Sequence, residues 1–177
     1  MVLRWAAAIL DVWLALWHGP RTWLGRPVRL RDLWRALPGD LMGLMVMRGC
    51  GIAAPTRQVQ AGDVRAVLVE DPRVRRWFRI HLMPVRAQTV GCYIFARERV
   101  SVEILAHECE HIRQWERFGP FFLMVYLGSS AMAFLRGRRP YWDNRFEAAA
   151  RSRADREMAA LRDAGQPPRA IQSASRH

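Results

Sequence analysis

Residues 107–111 read His-Glu-Cys-Glu-His. Two histidines four apart on a helix project from one face about a turn apart, so both imidazoles can reach a single Zn²⁺. Glu108 is rotated off that line toward an open coordination position. There it can take a proton from metal-bound water and later hand it to a leaving group. Cys109 projects to the opposite side, as a small core residue does. A catalytic zinc needs a third protein ligand, with water in the fourth place. The extended pattern HExxHxxGxxH fails, because Gln114 and Arg117 stand at its glycine and third histidine. The other common solution is a glutamate from a later helix, and Glu147 in Asp143-Asn144-Arg145-Phe146-Glu147-Ala148 fits it. Two roles compete for that residue. With Asn144 as N-cap, Glu147 also holds the N3 place of a capping box.

These side chains need helices to carry them. Ser101 opens one that runs to about Phe118, where Gly119-Pro120 stops it. Val102, Leu105, Ala106, Cys109 and Ile112 give it a packing face, which makes the motif part of a rigid element. A last helix begins near Asp143 or Asn144 and continues to about Ala164, before Gly165 and Pro167-Pro168. Between them, Gly119 to Leu135 carries no charge and is flanked by Arg117, Arg136, Arg138 and Arg139. That run is shorter than the roughly 20 residues of a spanning helix. It reads as a buried or re-entrant helix that folds back and brings the ligand helices together; its alternative role is to press the site against a bilayer.

Upstream, a helix over about 32–47 is expected to break at Pro38-Gly39 and restart near Asp40. Gly49–Thr56 is a turn-rich connection. Val64–Glu70 reads as a strand ended by Asp71-Pro72, Phe78, Ile80 and Leu82 alternate as in a second, and Gln88–Ala96 as a third. The expected fold is α+β and mostly helical, with a small antiparallel sheet packed on the HExxH helix and the later ligand helix. Residues 1–164 read as one domain and 165–177 as a disordered tail.

A chain of 177 residues with 51% hydrophobic composition has ample material for that core. Its 28 basic residues, all Arg, against 16 acidic ones set a formal charge of +12. The charge favours anionic partners, an acidic membrane surface among them. Arg73, Arg75, Arg76 and Arg79 cluster, as do arginines on the last helix. No nucleic-acid motif accompanies them, so nucleic acid is not an expected partner. Cys50, Cys92 and Cys109 are odd in number and form no CxxC pair, which points to a reducing compartment, the cytoplasm. Residues 1–17 carry a stripe of Trp5, Ile9, Val12, Trp13, Leu16 and Trp17. That helix either packs on the domain or anchors the chain peripherally at a membrane. Asp11 and the lack of a small-residue cleavage site argue against a cleavable signal peptide.

In these motifs the chain resembles the gluzincin type of zinc metallopeptidase. More closely it is similar to bacterial HExxH proteins with an NPFE-type second motif, related to the metallopeptidase-like core domain of contractile injection systems. The matching pieces are residues 88–95 (QTVGCYIF), 105–117 (LAHECEHIRQWER) and 143–147 (DNRFE). The resemblance covers about residues 86–151 and implies a strand, a motif helix and a ligand helix around zinc. Two positions depart from it. Arg145 stands where the group more often has Pro, and Arg151 where gluzincins place an acid that orients a ligand histidine. Asp143, Glu103 and Asp155 are the candidates to replace that acid.

The expected activity is peptide-bond hydrolysis, with His107, His111 and Glu147 on Zn²⁺ and Glu108 as general base. Tyr141, Arg145 and Tyr126 are candidate oxyanion donors. Residues 89–96, with Thr89, Val90 and Gly91 foremost, would lie antiparallel to an extended peptide or protein substrate if their strand is a sheet edge, and would be internal otherwise. The competing expectation is a catalytically silent zinc-binding module.

Overall fold

The computed structural model describes residues 30–61, 64–79 and 85–165. From Trp34 onward the described residues form one compact unit, which holds the sheet and the motif helix. The helix expected over 1–17 and the tail beyond Gly165 lie outside the described residues, as does most of the strand expected around Ile80 and Leu82.

Helix α1 (Leu30–Gly49) runs through Pro38 without the expected break. A proline in a helix interior removes one backbone hydrogen bond, and tertiary packing offsets that loss here. Gly39 lies against the Trp115 ring, 2.8 Å from where a Cβ would sit, and Gly43 against Tyr93. Two glycines one turn apart let a β-hairpin approach the helix backbone.

The sheet contains β1 (Arg57–Ala61), β2 (Val64–Glu70), β3 (Ala87–Val90) and β4 (Tyr93–Ala96), in the order β1-β2-β4-β3. It is mixed, not antiparallel throughout as the sequence suggests. β1 pairs antiparallel with β2, and β3 with β4, but β2 and β4 run parallel, with Val67 opposite Tyr93. The strand expected over 88–96 is in fact the β3–β4 hairpin. Its two-residue turn has Gly91 at φ +60° in the first place, the glycine position of a tight hairpin turn. β1 (RQVQA) has too few apolar residues to announce itself; Arg57 holds it to β2 through two hydrogen bonds to Glu70, of 3.1 and 3.0 Å.

Beyond β2, Asp71-Pro72 starts a 3₁₀ turn (Pro72–Val74), with the Asp71 carboxylate accepting from the Arg73 N–H. The turn leads into α2 (Arg75–Phe78), so Phe78 belongs to a helix and not to a second strand. The decisive signal is aspartate before proline, an N-cap followed by N1. Val74 and Phe78, four apart, both enter the core.

Helix α3 (Val102–Phe118) starts and stops where expected, with the Ser101 hydroxyl accepting from the Ile104 N–H. Leu105, Cys109 and Ile112 pack with Leu68 and Ile94 on one side of the sheet. Val69 and Phe95, their side chains alternating to the other face, pack with Val46, Val74 and Trp115. A 3₁₀ turn at Gly119–Phe121 leads to α4 (Phe122–Leu135), and α5 (Arg145–Asp163) closes the unit. α4 is not the buried helix that its composition predicts. Among its residues only Phe122 and Ala133 are buried.

Candidate metal centre

α3 and α5 pack directly on each other. Phe146, the second residue of α5, sits edge-on to Phe118 and Phe122 at centroid distances of 5.5 and 5.7 Å. Asn144, fully buried, fixes where α5 begins. Its side-chain oxygen accepts from the Phe146 N–H at 2.9 Å, and its amide nitrogen donates to the Tyr126 carbonyl at 3.1 Å and to the Ser130 hydroxyl at 2.8 Å. Asn144 is therefore the N-cap, as expected. Glu147 is not its capping-box partner, because its carboxylate turns toward α3 and α4.

There Glu147 meets both histidines. Its Oε2 lies 3.4 Å from His107 Nε2 and its Oε1 3.2 Å from His111 Nε2, and the two Nε2 atoms are 3.2 Å apart. One donor atom from each residue can be chosen so that all three lie within 4.8 Å of one another. Ligands held about 2.0–2.1 Å from zinc in a tetrahedron are about 3.3 Å apart, close to these separations. Two imidazole nitrogens facing each other beside a carboxylate require a cation or a proton between them. Glu147 Oε2 is buried and has no hydrogen-bond partner among the described residues. The donor set and the orphaned oxygen both fit a divalent metal ion.

The electrostatics run against burial. Desolvation disfavours charge on His111, but hydrogen bonding to Glu147, the charges of Glu108 and Glu147, and Gln114 outweigh it and raise its pKa to about 9. Desolvation likewise opposes charge on Glu147, yet the His107 and His111 imidazoles set against it, the His111 charge and the Tyr126 hydroxyl hold it well below the usual carboxylate range.

Gln114, by sequence only the residue that breaks the HExxHxxGxxH pattern, orients the site. Its side-chain oxygen is 2.8 Å from His111 Nδ1, and its amide nitrogen donates to the Phe146 carbonyl at 3.1 Å. An acceptor on Nδ1 fixes the tautomer that leaves Nε2 free to bind metal. A sequence signal for this role exists, since a residue three past a ligand histidine shares its helix face. None of the acids expected in this role supplies it. Asp143 accepts from the Arg139 N–H, while Glu103 and Asp155 face solvent.

Glu108 is buried, and Thr89 on β3 donates its hydroxyl to Oε2 at 2.7 Å. β3 is an edge of the sheet, as a substrate-pairing strand must be, and Thr89 ties that edge to the general-base candidate. Gly91 is not free to meet a peptide. It abuts the backbone of Gly39 and Asp40 in α1, where any Cβ would collide.

Tyr126 donates to Glu147 Oε1 at 2.7 Å and so holds the carboxylate. Burial and the Glu147 charge raise the hydroxyl pKa of both Tyr126 and the more exposed Tyr141, keeping each a donor. Arg145 points elsewhere, its guanidinium 4.7 Å from the centre of the Phe146 ring. Arg151, at the departed position, stacks on Trp142 at 5.3 Å, donates to the Trp142 carbonyl and brings Nη1 within 3.9 Å of Glu147 Oε2.

Compared with protein-family models, curated proteins and solved structures, the chain matches none.

Proposed function

We propose that this chain is a zinc-dependent metallopeptidase of gluzincin type, akin to the injection-system metallopeptidase-like proteins. The observation that carries the reading is the convergence of His107, His111 and Glu147 from two helices, with Glu108 held beside them by Thr89. A zinc ion held by His107, His111 and Glu147 would supply Lewis acidity for activating water near neutral pH and for polarising a carbonyl.

The chain's own residues do the rest. An extended peptide pairs its backbone with β3, the last strand of the sheet, at its Ala87–Thr89 end, since the Val90 carbonyl and Gly91 lie against α1. Glu108 accepts the nucleophile's proton and passes it to the leaving amine. Thr89 keeps that carboxylate aimed, and the partly exposed Tyr141 donates to the developing oxyanion. Tyr126 and Gln114 hold Glu147 and His111 in ligating geometry.

The test is zinc per chain together with cleavage of a mixed peptide library by wild type and Glu108→Gln. One zinc in both forms, with cleavage by the wild type alone, is expected. One zinc and no cleavage by either would make the chain a metal-binding module instead.

A further inference from the structure

The outer face of α4 has no partner within the described residues. Leu123, Met124, Leu127, Met132, Phe134 and Leu135 are between 43% and 76% exposed, far more apolar surface than scattered residues on a soluble domain present. The inner face is already committed, since Tyr126, Ser129 and Ser130 bond to Glu147, Arg145 and Asn144. The chain then turns through Arg136, Arg138 and Arg139, and Tyr141 and Trp142 are exposed beside them. A hollow of about 510 Å³ next to the helix is lined by Val125, Met132, Arg136, Arg138, Asp143 and Arg145. Asp143 is engaged by Arg139, whereas Arg136, Arg138 and Arg145 have no ionic partner among the described residues.

We infer that this face docks on an anionic lipid bilayer, with the α4 side chains in the acyl boundary and the arginines on lipid phosphates. Charge decides the occupant. A second copy seated here would set two arginine rims of a +12 chain against each other, whereas acidic headgroups neutralise them. Arginines around an apolar strip with tyrosine and tryptophan at its margin match the headgroup boundary. Length decides the mode. The stretch Val102–Leu135 is long and apolar enough to cross a membrane by length and composition. The apolar part, though, is the 14-residue α4, about 21 Å against a hydrocarbon core of about 30 Å. Its inner face serves a site that needs water. The helix therefore lies along the surface.

The test is co-sedimentation of the full chain with phosphatidylcholine vesicles, with and without about 30% phosphatidylglycerol. Binding to the anionic vesicles is expected, weakened at high salt. Leu127→Glu with Phe134→Glu should lower it at least about 10-fold, and Arg136→Gln with Arg138→Gln and Arg139→Gln by a similar factor, each with zinc content unchanged. Binding that survives the α4 variant but is lost in Trp13→Glu with Trp17→Glu would overturn the proposal in favour of the N-terminal stripe. A wild-type dimer that the α4 variant dissociates, with no vesicle binding, would make the face an interface between copies. Resistance of the membrane-bound protein to alkaline carbonate would overturn surface docking in favour of a span. Vesicle binding requires no turnover, so these outcomes stand apart from those for the peptidase reading.

Discussion

His107 and His111 carry metal-ligand chemistry by type and spacing alone, but a histidine binds metal through one nitrogen, and what the other does sets the affinity. Gln114 does this for His111 in place of an acid, and a neutral amide leaves the site one negative charge fewer. Replacing Gln114 with Leu should lower zinc affinity about 10- to 100-fold with the fold intact, read by competition with a chromophoric chelator. Unchanged affinity would show that packing alone holds the ring. Arg151, close to Glu147, further offsets the negative charge that the carboxylate brings to the site.

The elements are positioned by close approaches that local propensity does not encode. α1 meets the hairpin turn at Gly39, Gly43 and Gly91, and half-buried Asp40 accepts the Cys92 N–H at 2.8 Å. Burial raises the Asp40 pKa from 3.8 to about 6, against the opposing effect of that hydrogen bond. The folded chain thus holds this proton more tightly than the unfolded one. Asp40 costs nothing below pH 3.8, the cost grows as pH rises to about 6, and above that it is constant. After allowance for solvent at a half-buried group it is on the order of 1–2 kcal/mol. Asp40→Asn keeps an acceptor for Cys92. It should raise the unfolding midpoint at pH 8 and leave it unchanged at pH 3.5. An equal shift at both would mean that the charge is not what matters.

For the whole molecule, the triad joins α3 to α5 and, through Tyr126, to α4. A metal that binds only the assembled site stabilises the folded state by mass action, about 4 kcal/mol at a thousandfold excess over its dissociation constant. Stripping with a chelator should lower Tm by several degrees, and one equivalent of zinc should restore it. A Tm indifferent to both would exclude a high-affinity centre. The same assembly leaves α4 with two unlike faces, one holding the site and one of exposed apolar side chains.

HExxH, the N-cap at Ser101, the stop at Gly119-Pro120 and the start at Asn144 are local signals, and the ligand helices lie where those signals put them. β2 is legible because its centre, residues 66–69, is buried on both faces and reads as an unbroken apolar run. The hairpin at Gly91, the continuity of α1 through Pro38 and the mixed sheet depend on contacts between distant segments, which periodicity does not record. The turn of Glu147 toward the two histidines, and away from a capping box, has the same origin. Both roles suit its position along the chain, and only the arrival of two imidazoles and a tyrosine hydroxyl from other helices directs the carboxylate to the site. Exposure of α4 is likewise undecided by composition, since an apolar helix looks alike whether it fills a core or awaits a membrane.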